Sequence, residues 1–344
     1  MNRPPLTFAC WLKIILAYAA VAAVVALVAP WFGYVKIEPA VILRELRGVA
    51  AASLQSEIFW QQRVPRVLLA CCVGGALGLA GAVFQVLLRN PLATPDTLGV
   101  TSAGTLTAAV TLVFPSLSFA IGPFSSTYVC ALAGSAIAAV FIFLLARRGH
   151  ALSVPFLLLA GVSVNLFCGA AIMLMRFIAD PYHLVAVDRW MMGGLTTVGY
   201  TEILALLPII AIGAGLLLWQ AHALNQLAFG NELAGGRGVH LQRVLTLSFV
   251  GCVLLTAAVV AVAGPIGFVG LIVPHAVRVI SGPDQRVLLP ASMLGAAALL
   301  AACDTVARTC IAPTEMPVGI LTACIGAPVF LLLLLRHYAG RAAQ

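Results

Sequence analysis

Charge is what this sequence has least of. Of its 344 residues only 9% are Asp, Glu, Lys or Arg, while 62% are hydrophobic. A soluble domain carries about a quarter charged residues, so the polar surface here is too small to cover a water-facing globule. Lysine is nearly absent, with only Lys13 and Lys36, and neither follows a glycine. Without a G-x-x-x-x-G-K-[ST] loop the chain has no usual cradle for a nucleoside triphosphate, so ATP-driven work would need an ATPase on another polypeptide. The nine cysteines form no C-x-x-C pair and lie mostly in apolar segments, as at Cys71, Cys72, Cys130, Cys168, Cys252 and Cys324. They read as small buried hydrophobes. Among the six histidines no two stand at i, i+4 on a helix and no H-E-x-x-H occurs, which argues against a helix-borne zinc or haem site and leaves no metal or cofactor expected. Gly161-Val162-Ser163-Val164 has the start of a serine nucleophile elbow but lacks its second glycine. Catalysis has little to stand on.

What the sequence does have is long apolar runs, each able to cross about 30 Å of hydrocarbon as a helix. They predict an all-α, polytopic membrane protein in one domain, 1–344, with about ten transmembrane helices. The spans fall at 12–32, 64–86, 98–115, 121–146, 153–175, 202–221, 243–263, 265–281, 287–304 and 317–335. The first follows Arg3 and Lys13 and is long for a signal h-region; Val28-Ala29-Pro30-Trp31 is also a poor cleavage site, so it is read as retained. The eighth is interrupted by Gly264, Pro265, Gly267, Gly270 and Pro274. Broken helices are tolerated at membrane depth where protein buries them or they line a cavity. The spacing Gly75, Gly78, Gly81, Arg89 recurs as Gly264, Gly267, Gly270, Arg278, a faint echo of internal duplication.

Ten spans put both termini on one side. With the N-terminus in the cytoplasm, that side collects Arg3, Lys13, Arg89, Arg147, Arg148, Arg237, Arg243, Arg278, Arg286, Arg336 and Arg341 against Asp96, Glu232 and Asp284. Eleven bases against three acids give the whole net charge of +8, and the outer side balances at eight and eight. This is the positive-inside pattern. It accounts for the basic character without nucleic acid and makes a lipid bilayer the environment. Every carboxylate lies at a span end or in a loop, whereas an ion-coupled secondary transporter typically places acids at mid-membrane. That class remains the alternative of another kind.

Four polar clusters stand out. Arg63-Val64-Pro65-Arg66 opens span two at the outer side. Ordinary snorkelling accounts for it, and so does a rigid basic knob suited to gripping carboxylates. Arg89-Asn90-Pro91-Leu92-Ala93-Thr94-Pro95-Asp96 closes the same span. The cytoplasmic loop 222–243 holds Leu227, Phe229, Glu232, Leu233 and Val239 among glycines; a solvated linker needs no such apolar residues, while short helices docking on a partner do. Asp304 and Arg308 stand at i, i+4 near the outer end of span nine, a simple ion pair or a functional one.

Taken together these segments resemble the permease subunits of type II ABC importers, the family that takes up ferric siderophores, haem and cobalamin. The resemblance runs from Arg63-Val64-Pro65-Arg66 and Gln85 through Arg89-Asn90-Pro91-Leu92 and Trp190-Met191-Met192-Gly193-Gly194. It ends on Gly264-Pro265-Ile266-Gly267-Phe268-Val269-Gly270, Asp284-Gln285-Arg286, Asp304-Thr305-Val306-Ala307-Arg308, Glu315-Met316-Pro317 and Gly326-Ala327-Pro328, covering about residues 60–335 in family order. It implies the type II importer permease fold in a bacterial inner membrane. It also implies a second permease subunit, two ATPase subunits that bind the ATP, and a substrate-binding protein docking from outside. By motif position Arg63, Arg66 and Arg308 would receive that protein's acidic residues. Asn90 and Leu92, with Ser153, would narrow the translocation path. Leu227, Gly230, Glu232, Ala234 and Gly238 would lie in the coupling helices that seat in the ATPase. Arg237 departs from the pattern, standing where a leucine is usual, so the ATPase groove is expected to be more acidic than typical, or the register there to differ. Ferric siderophore is the expected cargo, with haem or cobalamin as alternatives.

Overall fold

The computed structural model describes residues 7–48, 53–122, 124–148, 151–228 and 230–342. Among them are seven helices long and apolar enough to cross a membrane and three shorter apolar ones. In chain order they are α1 (Phe8–Val28), α2 (Val64–Leu87), α3 (Val100–Val113), α4 (Ser126–Ala146), α5 (Val154–Ile178), α6 (Thr201–Trp219), α7 (Leu241–Ala263), α8 (Val269–Ser281), α9 (Gln285–Thr309) and α10 (Val318–Ala342). Shorter helices occupy the connections, including Pro181–Met191 between α5 and α6 and the pair Ala221–Ala228 and Asn231–Gly236 between α6 and α7. A helix stands at each of the ten expected spans, with changed bounds, and seven of the ten are long and apolar enough to cross.

α2 is the axis of the bundle. Nineteen of its 24 residues are buried, whereas α1 has no buried residue and lies at the periphery. Lipid offers no hydrophobic drive to pack one helix on another, so close backbone approach through small residues does that work. Gly74 and Gly78 face Ala296 and Ser292 of α9, and Gly81 crosses Gly270 of α8 so closely that a methyl group would overlap the Gly270 carbonyl. Gly213 of α6 and Gly251 of α7 instead make room for the Leu255 and Leu217 side chains of the facing helix.

The eighth span differs from expectation. Helix begins only at Val269, and Gly264–Phe268 is non-helical, with Gly264 at φ 67° and Phe268 at φ 69°. At 13 residues α8 is about 20 Å long, a half-span. The irregular backbone is packed against protein: Gly193 lies against the Pro265 carbonyl and Gly264 against that of Trp190, and the Gly194 N–H donates to the Ala263 carbonyl just before it. Glycines 75, 78 and 81 instead sit inside an unbroken helix, so the sequence echo is not a structural repeat.

Two helix-interior prolines create acceptors that other helices fill. Pro274 cannot donate to the Gly270 carbonyl, and Gln85 Nε2 of α2 reaches that oxygen at 3.5 Å and the Leu271 carbonyl at 3.3 Å. Pro290 likewise frees the Arg286 carbonyl, which accepts from Trp11 Nε1 at 2.9 Å and so pins peripheral α1 to α9.

Candidate functional site

α2 and α9 run antiparallel, which brings the start of one beside the end of the other. There Arg66 meets Asp304. Arg66 Nε lies 3.1 Å from both carboxylate oxygens and Nη2 lies 3.0 Å from Oδ1. Asp304 is fully buried, and Arg308 Nε, one turn further along α9, lies 3.2 Å from its Oδ2. One buried carboxylate thus serves two guanidiniums, the arrangement in which a buried charge is sustainable. Arg66 also holds Glu315 through Nη1 at 2.5 Å, and here the cluster reaches solvent: Arg66 is 12% exposed and Glu315 47%.

Arg63 enters differently. It closes the π-helical turn Ile58–Arg63 that leads into α2, and it is 5% exposed. Its Nη1 donates to the Pro30 and Trp31 carbonyls at 3.1 and 3.4 Å, and Nη2 donates to the Val35 carbonyl. Those carbonyls lie just past the end of α1, so Arg63 gathers the chain there. Arg308 Nη2 reaches Thr305 Oγ1 at 3.2 Å and the Ala29 carbonyl at 3.5 Å. All three arginines singled out from sequence line one cleft, and of them Arg66 is the one paired with an exposed carboxylate. It forms a wall of two neighbouring clefts, one lined by Arg189, Trp190, Met316 and Pro317, the other by Tyr34, Gln62, Thr197 and Glu202.

The residues expected to narrow the path lie at the opposite end of α2. Arg89 takes a positive φ of 48°, and the Asn90 side chain stabilises the turn by accepting from the Leu92 N–H at 3.0 Å. Asn90 is half-buried, and Leu92 is 42% exposed. Ser153, half-buried, precedes α5 at the same end, where its N–H donates to the Ala146 carbonyl. Asp96 follows in the turn Pro95–Leu98, and burial pushes its carboxyl up from the usual range. Between these ends, Arg278 Nη2 donates to Gln85 Oε1 at 2.9 Å.

The loop between α6 and α7 is two short helices. Leu227, 1% exposed, and Ala234, fully buried, pack inward. Their apolar character anchors the loop to its own bundle, so the need for a partner surface does not follow from them. Gly230 at φ 126° opens the second helix and Gly238 at φ 80° follows it; Glu232 lies on that helix, and Phe229 falls outside the described residues. Arg237 Nη1 donates to Gln226 Oε1 at 2.6 Å, tying the two short helices together. Sequence reasoning missed this bond, the Arg66–Asp304 pair and Asn225; the hints of the pair were a basic knob suited to carboxylates and a charge count that put both residues on one side.

Comparison with known proteins adds the family. The model of the FecCD transport family matches residues 18–336. The hemin transport system permease protein HmuU of Yersinia pestis is 43% identical over 283 residues, 81% of this chain and 83% of that one. The cobalamin import system permease protein BtuC of Halobacterium salinarum is 41% identical over 79% of this chain and 72% of its own length. The Fe(3+)-citrate import system permease protein YfmE of Bacillus subtilis is 36% identical over 93% and 94%. A solved structure described as an inward-facing metal-chelate type ABC transporter superposes with a TM-score of 0.81 at 28% identity, covering 94% of this chain and 99% of that one. The chain belongs to the FecCD transport family and is a membrane-spanning permease subunit of an ABC importer, not itself the catalytic component.

Proposed function

We propose that this chain carries an iron chelate, a ferric siderophore first among them, inward across a bacterial inner membrane. Two copies enclose the path. ATPase subunits bind the ATP beneath the loop Ala221–Gly236, and a substrate-binding protein delivers the cargo at the Arg66 end. Relatives named for hemin, for Fe(3+)-citrate and for cobalamin support a metal chelate as cargo. The charge asymmetry supports the orientation: all of the +8 falls on the loop side, which positive-inside bias assigns to the cytoplasm together with both termini.

The observation that carries docking is the exchangeable half of the Arg66 cluster. Asp304 is buried and fixed, while Glu315 is 47% exposed on the same guanidinium. An incoming carboxylate takes the place of Glu315 without disturbing Asp304. Arg63 and Arg308 contribute by position, adding positive potential beside Arg66 while their N–H groups hold the chain. At the other end Asn90, Leu92 and Ser153 narrow the path. Leu227 and Ala234 fix the coupling helices, and Gly230, Glu232 and Gly238 shape the part that meets the ATPase. Binding protein and nucleotide each favour a different opening of the pair, and that difference in affinity drives the cycle.

The test is uptake by the complex reconstituted in vesicles with its ATPase and binding protein, using ferric siderophore, haem and cobalamin in parallel. ATP-dependent uptake of the siderophore, reduced at least tenfold by Arg66→Glu, is the expected result. Uptake of haem or cobalamin alone reassigns the cargo, and uptake driven by an imposed ion gradient without ATP overturns the importer reading.

A further inference from the structure

We infer that Asn225 is a positioning residue that clasps the loop helix Ala221–Ala228 to the start of α9, so that movement of the loop is carried along α9 to the Arg66 end. This rests on the reading of that loop as the seat of the ATPase. The clasp uses the whole amide. Asn225 Nδ2 donates to Asp284 Oδ1 at 2.8 Å, and Asn225 Oδ1 accepts the Gln285 backbone N–H at 2.7 Å. A helix start leaves its first N–H groups without partners. In α9 the Gln285 N–H goes to Asn225, and the Arg286 N–H goes to Asp284 Oδ1 at 3.0 Å. Half the cap of α9 therefore comes from another element.

The clasp is braced on both sides. Leu224 and Leu227 flank Asn225 and are buried in the main core, and Arg237 bonds Gln226, so the second short helix moves with the first. Asp284 is in turn held by Arg286, with Nη2 at 2.6 Å from Oδ2. From this clasp α9 runs 25 residues, about 37 Å of helix, and at its far end Asp304 holds Arg66 and Arg308. One rod thus has a side-chain clasp on the loop at one end and the docking arginine at the other. A loop displaced by its ATPase must carry the start of α9 with it or break two hydrogen bonds. Nothing in the spacing of the sequence marks Asn225 for this role.

The experiment uses the full reconstituted complex and reads ATPase activity with and without loaded binding protein. For Asn225→Ala the ATPase still co-purifies and basal hydrolysis persists, while stimulation by loaded binding protein falls at least fivefold. Asn225→Asp sets two carboxylates against each other and uncouples further. The exchanged double variant N225D/D284N restores one donor and one acceptor across the clasp and recovers most of the stimulation, which a role confined to folding does not predict. Stimulation unchanged in N225A, or the double variant no better than N225D, overturns the inference. A wild-type complex that shows no stimulation at all counts instead against the proposed function, so the two failures are told apart.

Discussion

The Arg66 guanidinium grips Asp304 side-on, with Nε 3.1 Å from both carboxylate oxygens, across 238 residues of sequence. The pair fastens the start of α2 to the end of α9, two helices that already pack Gly74 and Gly78 against Ala296 and Ser292. It joins a packing contact to the exposed Glu315, so the fold's axis and its receiving surface share one side chain. That placement decides what each substitution at the cluster does.

Removing the shared carboxylate is the harshest change. Asp304→Ala leaves Arg66 and Arg308 facing each other without the anion between them. Breaking a buried pair by deleting one partner costs about 3–5 kcal/mol. Thermal unfolding of the purified subunit in detergent should show a large fall for D304A and a smaller one for D304N, which keeps the shape and one acceptor. Equal melting of D304A and wild type would mean that the cluster does not fasten α2 to α9.

The α2–α8 crossing gives an independent test. At Gly81 a methyl group meets the Gly270 backbone, which cannot rotate away, whereas at Gly169 on α5 it meets nothing within 4 Å. Gly81→Ala should cost about 1–3 kcal/mol through overpacking, and Gly169→Ala should be neutral or slightly stabilising because helical glycine is entropically costly. Comparing the two by unfolding in detergent removes the common effect of glycine to alanine. A G81A variant as stable as G169A would show that α2 and α8 can part at no cost.

The ten spans were legible because apolar length is a one-dimensional signal and lipid enforces it. What was not legible depended on a second segment. The eighth span was drawn from 265, but Phe268 and Gly264 take positive φ and the helix starts at Val269; composition does not report where a buried chain turns. Asp304 offered Arg308 as a partner four residues away, which hid the more extensive grip of Arg66. Leu227 is too apolar for a solvated linker, yet the sequence does not say whether it faces a partner or its own bundle. Its burial answers that. Asn225 carried no signal, since a lone amide in a polar loop is ordinary until its neighbour in space is known.

Acid should release the loop clasp in a definite window. Arg286 hydrogen bonds, assisted by Asn225, hold the Asp284 carboxyl down to about 2, below its unfolded value of about 3.9. A depressed folded pKa contributes stability that is present above the unfolded value and lost as pH falls toward the folded one. The difference in melting temperature between wild type and Asp284→Asn should therefore stay constant from pH 7 down to about 5 and shrink between about 4 and 2. A difference already gone at pH 6, or undiminished at pH 2, would contradict the assignment of that charge to the clasp.

Glu315 should act as a competitor. It is half-exposed, it follows the end of α9, and it occupies the one guanidinium nitrogen, Arg66 Nη1, that Asp304 leaves free. Docking of a binding-protein carboxylate on Arg66 then displaces Glu315 and does not add to it. Glu315→Gln removes the competing charge while keeping the side chain's size, so the binding protein should bind several-fold to tenfold more tightly, about 1 kcal/mol or slightly more. Because the exchange occurs between partly exposed charges, the gain should shrink as salt rises through the range where the screening length falls below about 8 Å. Binding measured on immobilised wild-type and E315Q subunits at low and high salt would decide. Weaker binding by E315Q would mean that Glu315 orients Arg66 for its partner, and the placeholder role would be lost.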